Sequence, residues 1–509
     1  MTFRPVHSSS AQERSSRLHQ WLSVIGLLLL VTGWRFYQVR QLALPAWVDS
    51  VHHTLLVRIL LEQGALPDSW GPYLPTTPFY YHFGFHLSAA LLAKATGLTG
   101  LALGNAVLIA GQLWQVLLVL ALYWLARTLF AAHEPAFIAT LLVSFVAEMP
   151  AFYVSWGRYP LLAGATLLIG AMAAANARRW LLLTLLTALI AITHHYTLFL
   201  AALFLVASWL LRPDARRSLF LSSVIAGLLV SSWLWRVWRL GQQWASVATA
   251  PGADSSPNTY LLTLLGPLHN YGVLLIALIG FGLLLRALYQ KPTAWHPWWP
   301  FVLWSFLLLL LLGPWTLPPF RSDHAALLIF LPAVLFATLA LTQLPTPLYR
   351  WSAVLLLLLW GMAATRNLVR PDTILADAGD VAALQWIDTH TAPDTKFLID
   401  VAPWFTVWRG VDGGWWITPL TGRATVLPPL AYLWGNADEI AGYGVAAAQL
   451  AAISPTSPPA YCDQLLALMT EAAAALYYTH AVSPRYCPQL TLIYEGPTGV
   501  QIFQRQDRS

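Results

Sequence analysis

Apolar residues in this chain come in long blocks separated by short polar breaks, rather than in the short alternating runs of a soluble sheet. A helix needs about 20 apolar residues to cross the hydrocarbon core of a bilayer, and somewhat fewer if it is short or broken. The blocks predict eleven spans, at 18–38, 98–126, 135–146, 161–177, 181–193, 197–211, 218–235, 271–289, 298–313, 325–341 and 349–365. Arg4, Arg14 and Arg17 precede the first span. No small-residue cleavage site follows it, so it reads as a retained anchor behind a cytoplasmic tail, residues 1–17. Lys and Arg are denser in the segments this count places inside, which predicts a cytoplasmic N-terminus and, after an odd number of spans, an outer C-terminal segment.

The first long polar break, residues 39–97, lies outside in this scheme. It holds two helical stretches, at 49–63 and 83–96, too short or too broken to cross, and expected to lie flat at the surface. A second outer turn, EMPAFYVSWGRYP at 148–160, is short and aromatic. A third outer segment, 236–270, is rich in Ala, Ser, Pro and Gly.

Beyond residue 370 the pattern changes. Residues 379–389 have helical spacing, with Val381, Leu384 and Ile387 on one face. Residues 396–401 read as a strand, 464–475 as an Ala-rich helix, and 490–494 and 500–504 as strands around the turn Gly496-Pro497-Thr498-Gly499. The expected architecture is therefore a polytopic α-helical membrane protein of about eleven transmembrane helices (residues 18–370), followed by an extracytoplasmic α/β domain (residues 371–509).

Composition agrees. The 509 residues are 58% hydrophobic and 10% charged, with mean hydropathy +0.60, whereas soluble proteins carry about 25% charged residues. The net charge of +6 fits cytoplasmic Lys and Arg, and no nucleic-acid partner is read from it. The only two cysteines, Cys462 and Cys487, fall in the outer domain. They fit either a disulfide, which requires an oxidising compartment, or two free thiols.

Candidate chemistry concentrates on the outer side. Asp49 lies three and four residues before His52 and His53, so on a helix the three share a face. A carboxylate beside two imidazoles marks either a reacting centre or a capped surface helix. Glu148 is a second outer carboxylate. Asp49 and Glu148 could supply a general base and hold a divalent cation, Mg or Mn, while Arg158 and Arg321 grip phosphate oxygens. Trp156-Gly157-Arg158-Tyr159 and His194-His195-Tyr196 place ionisable groups at span ends among aromatic neighbours, and Asp323 and His324 follow Arg321. His52, His53, Arg158, Tyr159, His194, His195 and Arg321 are candidate substrate contacts. His82 and His86 have the i, i+4 spacing of a helical metal site, but FYYHFGFH at 79–86 also reads as an interfacial aromatic segment.

This layout resembles the GT-C glycosyltransferases, integral membrane enzymes that take sugars from polyprenyl-phosphate donors. The tracts YYHFGFHLSAALLAKATGL (80–98) and WGRYPLLAG (156–164) are similar to those of bacterial membrane proteins grouped with that superfamily. The resemblance implies that Asp49 is the first-loop catalytic aspartate, acting as base or metal ligand, and that Glu148 is its second-loop partner. Ser50 stands where the family usually has a second acidic residue. Asp412-Gly-Gly-Trp-Trp-Ile417 followed by Gly422-Arg-Ala-Thr425 is similar to the WWDYGYWI…NRT tract of oligosaccharyltransferase catalytic subunits, which implies a substrate-facing role for Asp412; Gly410 and Val411 replace the two leading tryptophans. Without the resemblance, Gly413-Gly414 would be a turn before a Trp-rich strand. The implied activity moves a sugar from a polyprenyl-phosphate-linked donor to an acceptor glycan, lipid or protein at the outer face of the plasma membrane. The rival readings are a transporter or flippase for lipid-linked sugars, which predicts polar groups at mid-membrane, and a non-catalytic envelope assembly protein.

Overall fold

The structure, a computed structural model, describes residues 9–244, 268–290, 296–312, 322–404, 407–429, 437–453 and 458–506. The membrane part begins with α1 (Ser9–Gln38), α2 (Val48–Gln63), a small hairpin of β1 (Ser69–Trp70) and β2 (Leu74–Pro78), and α3 (Gly84–Thr96). It continues with α4 (Leu103–Phe130), α5 (His133–Leu141), α6 (Tyr159–Asn176), α7 (Trp180–Thr193), α8 (His195–Leu211), α9 (Arg216–Leu229) and α10 (Ser231–Trp244). It closes with α11 (Leu268–Gln290), α12 (Trp298–Leu310), α13 (Ser322–Leu327), α14 (Phe330–Thr342) and α15 (Pro347–Thr365). Among the described residues six helical segments are long and apolar enough to cross a membrane, or seven if the bent pair α8–α9 forms one span.

The burial pattern is that of a membrane bundle. The segment 159–176 and the segment 324–342 are almost wholly enclosed, while 271–290 and 347–365 expose most of their apolar surface. Leu181, Leu185 and Leu189 on α7, Phe220, Val224 and Leu228 on α9, and Leu275, Leu278 and Ile279 on α11 all point outward. In water such a belt would cost about 25 cal/mol per Å2 of exposed apolar area; against lipid it costs nothing. Polar side chains inside tie helices together. Trp298 Nε1 donates to Leu129 O (2.9 Å), Trp304 Nε1 to Leu200 O (3.0 Å) and Gln38 Nε2 to Thr365 O (2.8 Å).

Two membrane segments differ from the sequence expectation. The block at 218–235 is not one helix: α9 ends at Leu229, and α10 starts at Ser231 after a break at Val230. The α8 and α9 helices bend by 113° across Pro213 rather than forming a hairpin. Proline cannot donate to the helix ladder, and Arg212 turns back to bond Asn176 Oδ1 (3.1 Å), so the chain bends there.

The stretch at 49–63 is helical but does not lie flat on a surface. In α2 twelve residues, from Val48 to Leu60, are buried. It packs against α3, α4 and, from the other end of the chain, a short helix α17 (Ile417–Thr421). Its sequence is apolar around most of its circumference, which suits a helix covered on all sides.

Residues after α15 build a five-stranded sheet of order β6-β3-β7-β9-β8. Here β3 is Lys396–Ile399, β6 Ala424–Thr425, β7 Leu476–Thr479, β8 Leu490–Glu495 and β9 Gln501–Arg505, with a separate hairpin of β4 (Val401–Trp404) and β5 (Val407–Gly410). Strand β3 runs parallel to both β6 and β7, and β9 is antiparallel to β7 and β8. Helices α16 (Ala378–His390), α18 (Ala437–Ala452) and α19 (Pro458–Glu471) complete the domain. The predicted strand at 396–401 is two strands, since Asp400 turns between β3 and β4. The predicted helix at 464–475 stops at Glu471, and Ala473 takes a left-handed conformation before β7. Gly413–Trp416 is one 3-10 turn leading into α17, so no Trp-rich strand follows the glycine pair. Cys462 and Cys487 are disulfide-bonded, with a Cα–Cα distance of 5.3 Å.

Candidate active site

The site is organised by the N-terminus of α2. Trp47 enters the helix with φ +70°, a left-handed backbone that an aromatic residue adopts only when its surroundings hold it there. They do: Trp47 N–H donates to Thr373 O (2.8 Å), Trp404 meets its ring edge-on (6.3 Å), and Arg409 lies 5.1 Å from it. Asp49, two residues on, is buried.

The turn at 148–160 docks onto the same helix end. Gly157, at φ +63°, lies so close to α2 that a Cβ there would sit 2.5 Å from Ser50 Oγ and 2.7 Å from Ser50 N. Ser155 Oγ meets Thr373 Oγ1 (3.1 Å) and accepts from Arg370 N (3.1 Å), which ties this turn to the segment leading into the C-terminal domain. Glu148 is buried at the start of the turn, and its carbonyl accepts from Phe152 N (3.0 Å). Arg158 closes it, with Nη1 3.4 Å from His324 Nε2.

Beside Asp49 the histidines form a continuous array. His53 Nδ1 and His86 Nε2 are 2.9 Å apart. Ring centroids then step from His52 to His53 (5.4 Å), His53 to His86 (4.9 Å), His86 to His82 (6.4 Å), His82 to His194 (4.9 Å) and His195 (5.4 Å), and His194 to His324 (5.9 Å). His86, His52 and His53 are fully buried, whereas His82, His195 and His324 are partly exposed, so the array opens toward one end. Tyr81 stacks on His82 (4.0 Å), Tyr159 stacks on Phe85 (5.4 Å), and Tyr196 lies 5.0 Å from His324. Burial holds His52 down at about 3, and burial with the neighbouring imidazoles His86, His52 and His194 holds His53 well below the usual range.

The candidate residues Asp49, His52, His53, Glu148, Arg158, Tyr159, His194 and His195 thus belong to segments that meet at the α2 N-terminus and along the array. Arg321 lies outside the described residues. His82 precedes α3, so His82 and His86 do not share a helix face as their spacing suggested; they join the array from the loop and from the first turn. Among the described residues no group of three or more His, Cys, Asp or Glu is placed to hold a metal ion.

Asp412 has other company. It caps the 3-10 turn by accepting from Gly414 N (2.9 Å) and lies in a buried cluster of the C-terminal domain with Asp380, Asp400 and His480. Tyr477 (2.5 Å) and Thr479 (2.6 Å) donate to Asp400, while Tyr478 and His480 (2.8 Å) donate to Asp380. Burial and the nearby Asp400 push the Asp412 carboxyl well above the usual carboxylate range. Burial opposes ionisation of Asp380, but the bonds from His480 and Tyr478 outweigh it and hold its pKa down. The bond to Asp380 raises His480 to about 9.

Solved structures share this architecture. ArnT from Cupriavidus metallidurans, bound to undecaprenyl phosphate, superposes with a TM-score of 0.60 at 12% identity over 95% of this chain and 97% of its own. The archaeal oligosaccharyltransferase AglB from Archaeoglobus fulgidus, in complex with an inhibitory peptide and a dolichol-phosphate, gives 0.56 at 10% identity over 89% of this chain and 69% of its own. The chain has the GT-C fold. Mycobacterial arabinofuranosyltransferase AftD matches with a TM-score of 0.55 at 15% identity over 95% of this chain and 40% of its own. A further structure of the Archaeoglobus enzyme is a complex with zinc and sulfate. No family model and no curated protein sequence matches the chain. The GT-C fold is thus common to this chain and to these glycosyltransferases.

Proposed function

We propose that this protein is an integral membrane glycosyltransferase that moves a sugar from a polyprenyl-phosphate-linked donor to an acceptor hydroxyl at the outer face of the plasma membrane. The observation that carries the reading is the docking of the turn bearing Glu148 and Arg158 onto the N-terminus of α2 beside Asp49, within a fold shared with lipid-phosphate-binding glycosyltransferases. In the proposed step Asp49 takes the acceptor hydroxyl proton. The acceptor oxygen bonds to the anomeric carbon, and the bond from that carbon to the phosphate oxygen breaks, leaving its electron pair on the phosphate. Arg158 and Arg321 hydrogen-bond the phosphate oxygens, and Glu148 orients the acceptor. The reading keeps eleven spans, a cytoplasmic N-terminus and the disulfide-bearing domain outside, where Cys462 and Cys487 meet an oxidising compartment. On the eleven-span count the polar candidates fall at the outer rim rather than at mid-membrane, which supports an enzyme over a transporter.

The test is transfer from a panel of radiolabelled polyprenyl-phosphate sugars by the purified protein beside Asp49→Asn. Wild-type transfer that drops at least 100-fold in a folded variant supports both the activity and the base. Transfer that survives moves the base elsewhere, with Glu148 next. No transfer from any donor, with donor binding equal in both proteins, would favour the transporter or assembly reading.

A further inference from the structure

The histidine array has a composition that a simple structural core does not need. Half of the chain's fourteen histidines stand in it. The charged groups that act on His53, His82 and His194 are other imidazoles and, for His194, Arg158. From α2, Asp49 stands one turn before His52 and His53. Tyr81 faces the array from the loop before α3, Tyr159 from the start of α6 and Tyr196 from α8. Arg158 stands at the partly open end beside His324 as a permanent cation. His195 Nε2 is buried there without a hydrogen-bond partner among the described residues, and a buried polar atom left open is a place for a ligand atom.

Burial, and for His53, His82 and His194 the neighbouring imidazoles, favour the neutral rings while the site is free. A phosphate dianion brought among them reverses that balance, so binding and protonation become linked. A phosphodiester donor carries one negative charge, whereas the departing monoester carries up to two, with a second pKa of about 6. The array therefore meets a greater charge after transfer than before it.

We propose that the histidine array is a proton-linked site for the lipid phosphate monoester: the monoester binds at the Arg158–His324–His194–His195 end, and the array takes up a proton from solvent with it. This rests on the lipid-phosphate reading of the site and adds how the site tells product from donor. The array holds the monoester more tightly at low pH and releases it as pH rises.

The experiment is calorimetric titration of the full-length protein in detergent with a polyprenyl monophosphate. It is run at pH 6.5, 7.5 and 8.5, in two buffers of different ionisation enthalpy, with the polyprenyl alcohol as control. Uptake of about one proton per lipid is expected, with affinity falling up to about tenfold per pH unit and no pH dependence for the alcohol. His195→Gln combined with His82→Gln should remove the uptake and leave weaker binding that no longer changes with pH. Phosphorus NMR of the lipid bound to the unmodified protein separates protons on the array from protons on the phosphate, and needs no variant to fold. A bound phosphate that stays dianionic supports the array as the proton acceptor. Binding without proton uptake, uptake unchanged in the double variant, or a protonated bound phosphate overturns the proposal and leaves the glycosyltransferase reading standing. Absence of monophosphate binding at every pH overturns both.

Discussion

Gly157→Ala tests whether the turn at 148–160 is seated on α2. The substitution has two separable effects. Alanine at φ +63° adopts a left-handed backbone, at roughly 1–2 kcal/mol. Its Cβ also lands 2.7 Å from Ser50 N, a backbone atom that cannot rotate away, and 3.2 Å from Ala46 O. Restoring ordinary contact separates the turn from α2 by about 0.7 Å. Asp49 is on one side of that contact, and Glu148 and Arg158 are on the other. A misplacement of about 1 Å in a reacting assembly costs about 100-fold in rate, so transfer should fall about 10- to 100-fold. Gly499→Ala is the control. Gly499 has φ +85° in the β8–β9 turn, but its Cβ would have nothing within 4 Å, so it carries the conformational cost without the collision. Both variants are purified, their thermal stability is compared, and transfer is measured at saturating donor. If Gly157→Ala keeps transfer within twofold of Gly499→Ala, the two carboxylates do not act across this contact.

Two further predictions concern the C-terminal domain. His480 is raised to about 9 by Asp380, above its ordinary value of 6.5. The ion pair is therefore fully stabilising below about 6.5 and lost as pH rises through about 9; the pair is partly exposed, which limits it to about 1 kcal/mol. Thermal melts should show the wild-type advantage over His480→Gln at pH 6 shrinking by pH 9.5, and an equal gap at both pH values would refute the pairing. The Cys462–Cys487 disulfide closes a loop with a sequence separation of 25, worth about 3–4 kcal/mol in the chain-entropy treatment. Cys462→Ser with Cys487→Ser should lower the melting temperature of this domain and expose α19 to proteolysis, whereas an unchanged melt would show that the bridge constrains nothing.

The sequence made the membrane bundle legible because lipid-facing helices announce themselves by composition. It also gave α2, α3, α16, β8 and β9 nearly at their observed bounds. What it could not give was cover. The apolar circumference of α2 shows a helix, but nothing near residue 50 says that α17, some 360 residues later, lies on it. Strand β7 was hidden for a local reason: the alanines of EAAAALYYT continue the helical pattern of α19, and only the left-handed turn at Ala473 separates them from the strand. The pairs His52-His53 and His194-His195 were visible as pairs. Their union with His82, His86 and His324 was not, because four separate segments supply the members. Asp380, Asp400 and His480 carried no signal for the same reason, being brought together only when β3, β7 and α16 pack.

Two buried polar clusters among the described residues are satisfied in different ways, and the difference bears on where chemistry is sought. In the carboxylate cluster the donors and acceptors close on one another: Asp380 takes bonds from His480, Tyr478 and Asp377 N, and Asp400 takes bonds from Tyr477 and Thr479. Such a closed network fixes α16 to β7 and holds the domain in one arrangement. In the histidine array the accounting does not close, since His195 Nε2 is buried without a partner among the described residues. A buried orphan costs about 1–3 kcal/mol, and a fold keeps it where a ligand completes the set. That argument moves the functional weight from Asp412, beside the closed network, to the array beside Asp49. It makes His195→Gln more damaging to lipid-phosphate binding than Asp412→Asn, which should act chiefly on stability.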